Sequence, residues 1–105
     1  MLVKKGYCYI LANKNKTVLY VGAIDNLQRR IREHKEGKYL KSFTKRYSCK
    51  LLVYFEEFDE IKDAFERERK LKAGNRKRKE YLINLINPKW KDVSENWFDG
   101  EMDSE

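Results

Sequence analysis

The sequence has little of the chemistry on which several protein classes depend. Its 105 residues include 2 cysteines, 1 histidine and 1 proline, and no apolar run is long enough for a transmembrane helix or a signal peptide. Cys8 and Cys49 are too few for a disulfide framework and lack metal-ligand spacing, so we expect them to fill packing positions. The single histidine, His34, excludes histidine-rich metal chemistry. These absences predict a soluble cytoplasmic protein.

Charge is abundant and unevenly distributed. The net charge is +7, yet from Asp92 onward there are six acids and no lysine or arginine. Residues 1–91 therefore carry 24 bases against 11 acids, a net charge of +13. A body this basic favours a polyanionic partner such as nucleic acid, and the alternative is a solvated surface rich in lysine. We expect a single domain over residues 1–97 and a disordered acidic tail over residues 98–105.

Two β-rich segments near the start predict a hairpin. Lys4–Ala12 alternates and is rich in tyrosine and isoleucine, and Thr17–Gly22 follows it. If residues 13–16 close a four-residue loop, the register places Tyr9 directly opposite Tyr20. A stabilising aromatic pair is the ordinary interpretation of such a contact, and a catalytic pair is the alternative.

A helix is predicted from Asn26 to Glu36, with an Asp-Asn pair at its N-cap. Leu27 and Ile31 lie four residues apart and form its apolar stripe. Arg30 and His34 have the same spacing, so they lie on one face beside that stripe. The tyrosine and glycine that end the preceding strand are therefore expected to face the same region as this arginine and histidine.

The helix predicted over Asp59–Lys72 carries a carboxylate in an unusual position. Glu68 falls in the middle of the apolar stripe that Ile61, Ala64, Phe65 and Leu71 form. A carboxylate facing a core is costly unless it meets a cation or hydrogen-bond donors. One interpretation is a structural salt bridge, for which Arg30 is a candidate. The other is a divalent-metal ligand, because Mg²⁺ favours one or two carboxylates together with waters and phosphate oxygens.

The other segments complete the predicted fold. Lys50–Glu57 is apolar on both faces, which predicts a central strand. Tyr39–Tyr47 is expected to be a short helix or loop, and a last helix follows the break at Ala73–Asn75 and ends before Asn87-Pro88. The expected fold class is α/β, with a small three-stranded antiparallel sheet flanked by helices in the order β-β-α-α-β-α-α.

Two basic segments are candidate nucleic-acid contacts. Lys45 and Arg46 stand among aromatic residues. In one interpretation they contact phosphates, and in the other the segment is a short helix or loop that contributes two aromatic residues to the core. The last helix opens with four consecutive bases, Arg76, Lys77, Arg78 and Lys79. Cations at a helix start oppose the helix dipole, which favours a role outside the helix.

The motifs together resemble the GIY-YIG nuclease domain. The resemblance rests on Tyr7-Cys8-Tyr9-Ile10-Leu11, Tyr20-Val21-Gly22, Arg30 and His34, and it extends from about Tyr7 to about Trp97. The chain is most similar to the small single-domain bacterial members, and also resembles the catalytic domain of the excision-repair incision subunit. The resemblance implies a divalent-metal-dependent endonuclease that hydrolyses phosphodiester bonds, of DNA rather than RNA, in repair or processing. A protein partner is expected to supply substrate specificity.

The resemblance also implies roles for particular residues. Glu68 would hold Mg²⁺ or Mn²⁺, Tyr20 would act as general base or position water, Arg30 would stabilise phosphate charge, His34 would relay a proton or orient water, and Tyr9 would support Tyr20 or bind phosphate. Asn87 matches an asparagine that the family often has near its site, although a helix stop before proline explains it equally well.

The sequence departs from the family in two places. Tyr7-Cys8 replaces the first Gly-Ile, and Ala23 and Ile24 stand where other members often have lysine, serine or threonine. A tyrosine that acts as a base at neutral pH needs a nearby cation or metal, because a free phenol titrates near ~10. The alternatives to a nuclease are a non-catalytic nucleic-acid-binding module that keeps the fold and a protein-interaction domain whose charge serves solubility.

Overall fold

The computed structural model describes residues 4–36 and 47–98. Within these ranges the chain forms three strands and three helices: β1 (Gly6–Ala12), β2 (Leu19–Ile24), α1 (Leu27–Glu36), β3 (Leu51–Phe58), α2 (Ile61–Ala73) and α3 (Arg76–Ile86). The strands form one antiparallel sheet in the order β2-β1-β3. This confirms the predicted α/β class. The short helix or loop expected before β3 falls almost entirely outside the described residues.

The sheet separates two apolar clusters because side chains alternate along its strands. On one face, Cys8 and Ile10 pack with Leu71 of α2 and Ile83 of α3. On the other face, Tyr9 and Leu11 pack with Leu27 and Ile31 of α1 and with Cys49. Both cysteines are buried and neither forms a disulfide, as expected for packing positions.

The central strand is β1, so the prediction that the third strand lies at the centre is wrong. β1 pairs with both other strands, and it is buried from Cys8 to Ala12. β3 is an edge strand whose buried part is limited to its first half. The sequence of that half is apolar on both faces because the two faces of the strand are both covered. Leu52 packs in the cluster with α1, and Val53 packs in the cluster with α2 and α3.

The loop between β1 and β2 is longer than predicted. Ala12 pairs with Leu19, so six residues rather than four connect the strands. Asn13 stabilises the wider loop, because its Oδ1 accepts hydrogen bonds from the backbone N–H groups of Thr17 and Val18, both at 2.9 Å. This side-chain mimicry of a turn is a property of asparagine that loop-length rules do not capture.

The longer loop moves the strand register by two residues. Tyr9 lies opposite Gly22, and Tyr20 lies opposite Leu11. The prediction that Tyr9 and Tyr20 are directly opposed is therefore wrong. They are diagonal neighbours across the hairpin, which keeps aromatic side chains within reach of each other.

Gly6 allows α2 to pack closely against β1. A Cβ atom at Gly6 would lie 2.6 Å from the Cα atom of Ile61 and 3.0 Å from the Cβ atom of Ala64. The backbone N–H of Ile61 also donates to the carbonyl oxygen of Lys4 at 2.9 Å. This close approach fixes the start of the helix that carries Glu68 beside the central strand.

The segment after α3 folds back along the edge of β3. The N–H of Val93 donates to the Leu52 carbonyl at 2.8 Å, and the N–H of Leu52 donates to Asp92 Oδ1 at 3.2 Å. Trp97 packs against Phe55, with the ring centroids 6.1 Å apart. None of the helices in the described parts of the chain is long and apolar enough to cross a membrane.

Candidate active site

Three aromatic rings from three different elements meet on one face of the hairpin. The ring centroids of Tyr9 and Tyr20 are 6.3 Å apart, those of Tyr9 and His34 are 6.4 Å apart, and those of Tyr20 and His34 are 6.0 Å apart. Tyr9 comes from β1, Tyr20 from β2 and His34 from the last turn of α1. His34 is buried because it follows Leu27 and Ile31 on the inward face of the helix.

Gly22 makes room for this arrangement. A Cβ atom there would lie 2.5 Å from both Cζ and Oη of Tyr9 and 3.0 Å from Cε2 of Tyr20. The Tyr9 phenol therefore crosses β2 directly over this glycine and reaches the Tyr20 ring. Any larger residue would displace one of the two tyrosines.

The Tyr9 hydroxyl is buried and forms no well-aligned hydrogen bond in the part of the chain that the structure describes, although the Arg30 guanidinium lies close enough to interact with it. Burial raises its pKa above the ordinary tyrosine value. Neighbouring Tyr20 and the Glu68 carboxylate act in the same direction, and the Arg30 guanidinium opposes them. Tyr9 is therefore a neutral phenol at physiological pH, able to donate a hydrogen bond to an incoming anion.

Arg30 and His34 stand side by side on α1, as the spacing predicted. Arg30 Nε lies 3.5 Å from Glu33 Oε1, so a glutamate that the sequence did not single out helps to hold the guanidinium. Burial lowers the pKa of His34 to about 4, and the positive charge of Arg30 contributes to this shift. The imidazole is consequently neutral at physiological pH.

Glu68 lies at the border of the apolar stripe rather than in its middle. Ala64 and Leu71 are buried, but Phe65 is 48% exposed. The Glu68 carboxylate is 21% exposed, and its Oε2 lies 3.0 Å from Nζ of Lys72 one turn further along α2. The prediction that Glu68 lies in the middle of the apolar stripe is therefore wrong, because the side of α2 that carries Phe65 is open to solvent.

Lys72 is the candidate site residue that sequence reasoning missed. It lines a pocket of about 350 Å³ together with Leu19, Tyr20, Val21 and Lys79. Lys72 thus joins Glu68, its ion-pair partner, to the surface of Tyr20. Its position four residues after Glu68 was a signal in the sequence, since residues four apart share a helix face.

The four bases at the start of α3 are used in different ways. Arg76 donates to the carbonyl oxygens of Thr17 at 2.9 Å and Lys16 at 2.6 Å, and it thereby ties α3 to the hairpin loop. Lys79 donates to the Gly74 carbonyl at 2.9 Å and lines the Tyr20 pocket. Lys77 and Arg78 are exposed. The other two predicted nucleic-acid contacts, Lys45 and Arg46, lie outside the described residues.

Asn87 lies at the end of α3 and is occupied by backbone hydrogen bonds. Its Nδ2 donates to the carbonyl oxygens of Val53 at 3.0 Å and Lys91 at 2.8 Å, and its Oδ1 accepts from the Lys91 N–H at 3.1 Å. The structure therefore gives this side chain a role in holding the returning segment against β3.

The carboxylate at Glu68 fits a hydrated hard cation. Across residues 4–36 and 47–98, no group of three histidine, cysteine, aspartate or glutamate side chains is placed to enclose a metal ion. The Glu68 carboxylate is partly exposed. Its negative charge helps to raise the pKa of the buried Tyr9 hydroxyl, so it lies near the tyrosine cluster. One carboxylate with waters and substrate oxygens is the ligand set that Mg²⁺ commonly takes.

Together these groups suit an anionic ester. A buried neutral phenol donates, a guanidinium and two lysines attract negative charge, and a neutral imidazole accepts or donates a proton. The chain is thus a small α/β domain with a site suited to a phosphate ester.

Comparison with known proteins identifies the family of this domain. Residues 5–81 match the family described as the GIY-YIG catalytic domain. The chain belongs to this family. Membership indicates a nuclease type of function and a nucleic-acid substrate, and nucleases of this family generally use divalent metals.

The chain is similar to UPF0213 proteins over most of its length. It is 37% identical to one from Syntrophus aciditrophicus over 81 residues, 77% of this chain and 92% of the relative. It is 38% identical to one from Clostridium perfringens over 78 residues, 74% of this chain and 82% of the relative. The solution NMR structure of a UPF0213 protein from Bacillus halodurans aligns with a TM-score of 0.53 and 28% identity, covering 87% of this chain and 96% of that one.

Proposed function

We propose that this protein is a divalent-metal-dependent endonuclease that hydrolyses phosphodiester bonds of DNA in repair or processing. The observation that carries the proposal is the meeting of the Tyr9, Tyr20 and His34 rings, which the absence of a side chain at Gly22 allows. Arg30 and Glu68 are close enough for their charges to act on the Tyr9 hydroxyl. The reaction forms a bond from a water oxygen to phosphorus and breaks one phosphorus–oxygen ester bond.

Tyr20 positions the attacking water or takes its proton, with Lys72 as the cation that lines the same pocket. This lysine compensates for the absence of a cation at Ala23 and Ile24. Tyr9 stays protonated and donates a hydrogen bond to a phosphate oxygen or to Tyr20, because its hydroxyl is buried and forms no well-aligned hydrogen bond among the described residues.

Arg30 stabilises the negative charge of the phosphate, and its partner Glu33 holds the guanidinium in place. His34 is neutral, so its imidazole orients water or relays a proton rather than adding positive charge. Lys79, Lys77 and Arg78 extend the basic surface and bind the flanking backbone without base specificity.

Glu68 would hold the metal, Mg²⁺ or Mn²⁺, which neutralises phosphate charge and stabilises the leaving oxygen when bound. For this the carboxylate must exchange its contact with Lys72 Nζ, 3.0 Å away. Ion pairs with a solvent-accessible partner, such as Lys72 at 53% exposure, are weak, at about 0–1 kcal/mol, so little free energy opposes this exchange.

Cleavage of supercoiled plasmid and of labelled duplex, branched, flap and single-stranded DNA and RNA tests the proposal. We expect cutting in Mg²⁺ or Mn²⁺, no cutting in EDTA, and loss of cutting in Tyr20→Phe with an unchanged unfolding transition. Equal cutting by wild type and Tyr20→Phe would contradict the assigned role of Tyr20. A preference for one substrate class would identify DNA or RNA.

The second candidate is a non-catalytic nucleic-acid-binding module, and the Glu68–Lys72 contact favours it because the carboxylate already has a cation. It predicts no cutting of any substrate, salt-sensitive binding, and a large loss of binding when the cluster from Arg76 to Lys79 is neutralised. Metal-dependent cutting by purified wild type would exclude it.

A further inference from the structure

A second pocket lies on the same face of the sheet as Tyr9 and takes no part in the proposed chemistry. It has a volume of about 670 Å³. Tyr7, Phe55 and Trp97 form its aromatic wall, and the N-terminal turn of α1 contributes Gln28. Its size is that of a site for a small ligand or a single nucleotide.

The aromatic wall is partly open to solvent, since Tyr7 and Trp97 are half-buried and Phe55 is exposed. Tyr7 and Phe55 lie with ring centroids 6.4 Å apart, and Phe55 and Trp97 lie 6.1 Å apart in edge-to-face geometry. Phe55 is 36% exposed although it lies on the sheet. In proteins that bind single-stranded nucleic acid, exposed aromatic side chains such as Phe55 serve as surfaces on which bases stack.

The charges around the pocket are balanced. Lys4 Nζ lies 3.2 Å from Asp25 Oδ2, and Lys5 Nζ lies 2.9 Å from Glu57 Oε2. Two cations are thus matched by two anions at the rim, which disfavours a phosphate group inside the pocket. A neutral planar group with hydrogen-bonding edges fits better, since the exposed amide of Gln28 both donates and accepts.

A cationic pocket adjoins the aromatic one. It has a volume of about 280 Å³, and Asn26, Gln28, Arg29 and Arg32 line it. Asn26 and Gln28 border both pockets. The Arg32 guanidinium is held 4.9 Å above the Phe98 ring. The Arg29 side chain is 54% exposed, and its Nη2 lies 3.7 Å from Asp25 Oδ1, a long contact that leaves the guanidinium accessible to a phosphate. Two guanidinium groups beside a neutral aromatic pocket are complementary to a nucleotide, since guanidinium binds phosphate and aromatic rings stack with the base.

We propose that the two pockets bind one unpaired nucleotide of the substrate strand, with its base against Phe55 and Trp97 and its phosphate at Arg29 and Arg32. Tyr7 lies two residues before Tyr9 on β1, a distance of about 7 Å along the strand. The bound nucleotide is therefore a near neighbour of the scissile phosphate. This rests on the proposed nucleic-acid substrate and adds a preference for strands that are single-stranded or locally unpaired.

Binding of two oligomers in EDTA, where no cleavage occurs, tests the proposal. One is dye-labelled oligothymidylate of eight nucleotides, and the other has eight abasic tetrahydrofuran units and the same phosphate charge. Fluorescence anisotropy is expected to show at least about fivefold tighter binding of the oligothymidylate, because each stacked base contributes measurably. Phe55→Leu should remove this difference, and Phe55→Tyr should restore it.

The matched control is Phe65→Leu, which removes an aromatic ring of similar exposure from α2, away from the pocket. It should leave both affinities unchanged, whereas Arg29→Gln should weaken both oligomers to the same extent. Equal binding of the two oligomers by wild type would overturn the proposal, as would equal weakening of both by Phe55→Leu. Plasmid cleavage by the same preparation separates this failure from that of the nuclease proposal, since either result can occur without the other.

Discussion

Gly22 lies directly opposite Tyr9, and the Tyr9 phenol occupies the space that a side chain at this glycine would fill. The glycine therefore acts on the site through packing, not through an unusual backbone conformation. It allows a tyrosine of the central strand to cross the edge strand and meet Tyr20, and the two rings then lie against His34.

Gly22→Ala is expected to displace the Tyr9 ring, because its Cβ would lie 2.5 Å from Cζ and Oη. We expect the free energy of unfolding to fall by about 1–3 kcal/mol, as for other overpacked sites, and cleavage to fall with it. Urea unfolding and cleavage rates measure the two effects. The control is Gly74→Ala, whose Cβ would meet nothing closer than 3.4 Å, and which should change the unfolding free energy by less than about 1 kcal/mol.

His34 gives the protein a specific pH dependence. Burial lowers its pKa from 6.5 to about 4, so the unfolded chain takes up the proton first as the pH falls. The free energy of unfolding is therefore unaffected by His34 protonation above pH 6.5. It decreases as the pH falls toward 4, by up to about 3 kcal/mol. Urea unfolding at pH 7, 5.5 and 4.5 should show a smaller decrease in His34→Gln than in wild type. An equal decrease in the unfolding free energy of both proteins would show that the histidine is not held neutral.

Lys72 is expected to act on both the rate and the metal requirement. Lys72→Met removes the cation beside Tyr20 and should slow cleavage at saturating Mg²⁺ by about tenfold. It also releases Glu68 from its 3.0 Å contact, so the Mg²⁺ concentration for half-maximal cleavage should decrease. Lys70→Met is the control, since that lysine contacts Glu66 on the same helix at 4.0 Å. If Lys72→Met matches the control in both quantities, Lys72 is a surface cation without a role in the site.

Local periodicity predicted which side chains share a helix face near the tyrosines. Arg30 and His34 were placed together by their spacing of four, and the structure has both beside the tyrosines. Glu68 was singled out by its position relative to the apolar stripe of α2. These predictions depend only on the helical repeat, which a sequence shows directly.

Pairing between distant segments was predicted less well. The register failed because Asn13 stabilises a six-residue loop, and the strand order failed because an apolar run cannot distinguish a central strand from an edge strand covered on both faces. The position of Lys72 beside Tyr20 depends on how α2 packs against β2, which no local pattern encodes. Gly22 was part of the motif that carries the resemblance. The steric reason for a glycine there becomes visible only from the strand register, which places it opposite Tyr9.

The central claim is that Glu68 and the tyrosine cluster form one metal-dependent active site. Its most direct test is single-turnover cleavage by Glu68→Gln and Glu66→Gln across a range of Mg²⁺ concentrations. Both substitutions remove one carboxylate from α2, and Glu66 is an exposed residue paired with Arg69 at 2.6 Å. We predict that Glu68→Gln cuts at least about 100-fold more slowly at every Mg²⁺ concentration, a loss of about 2.7 kcal/mol of transition-state stabilisation, while Glu66→Gln matches wild type. Equal rates for Glu68→Gln and wild type would contradict the account.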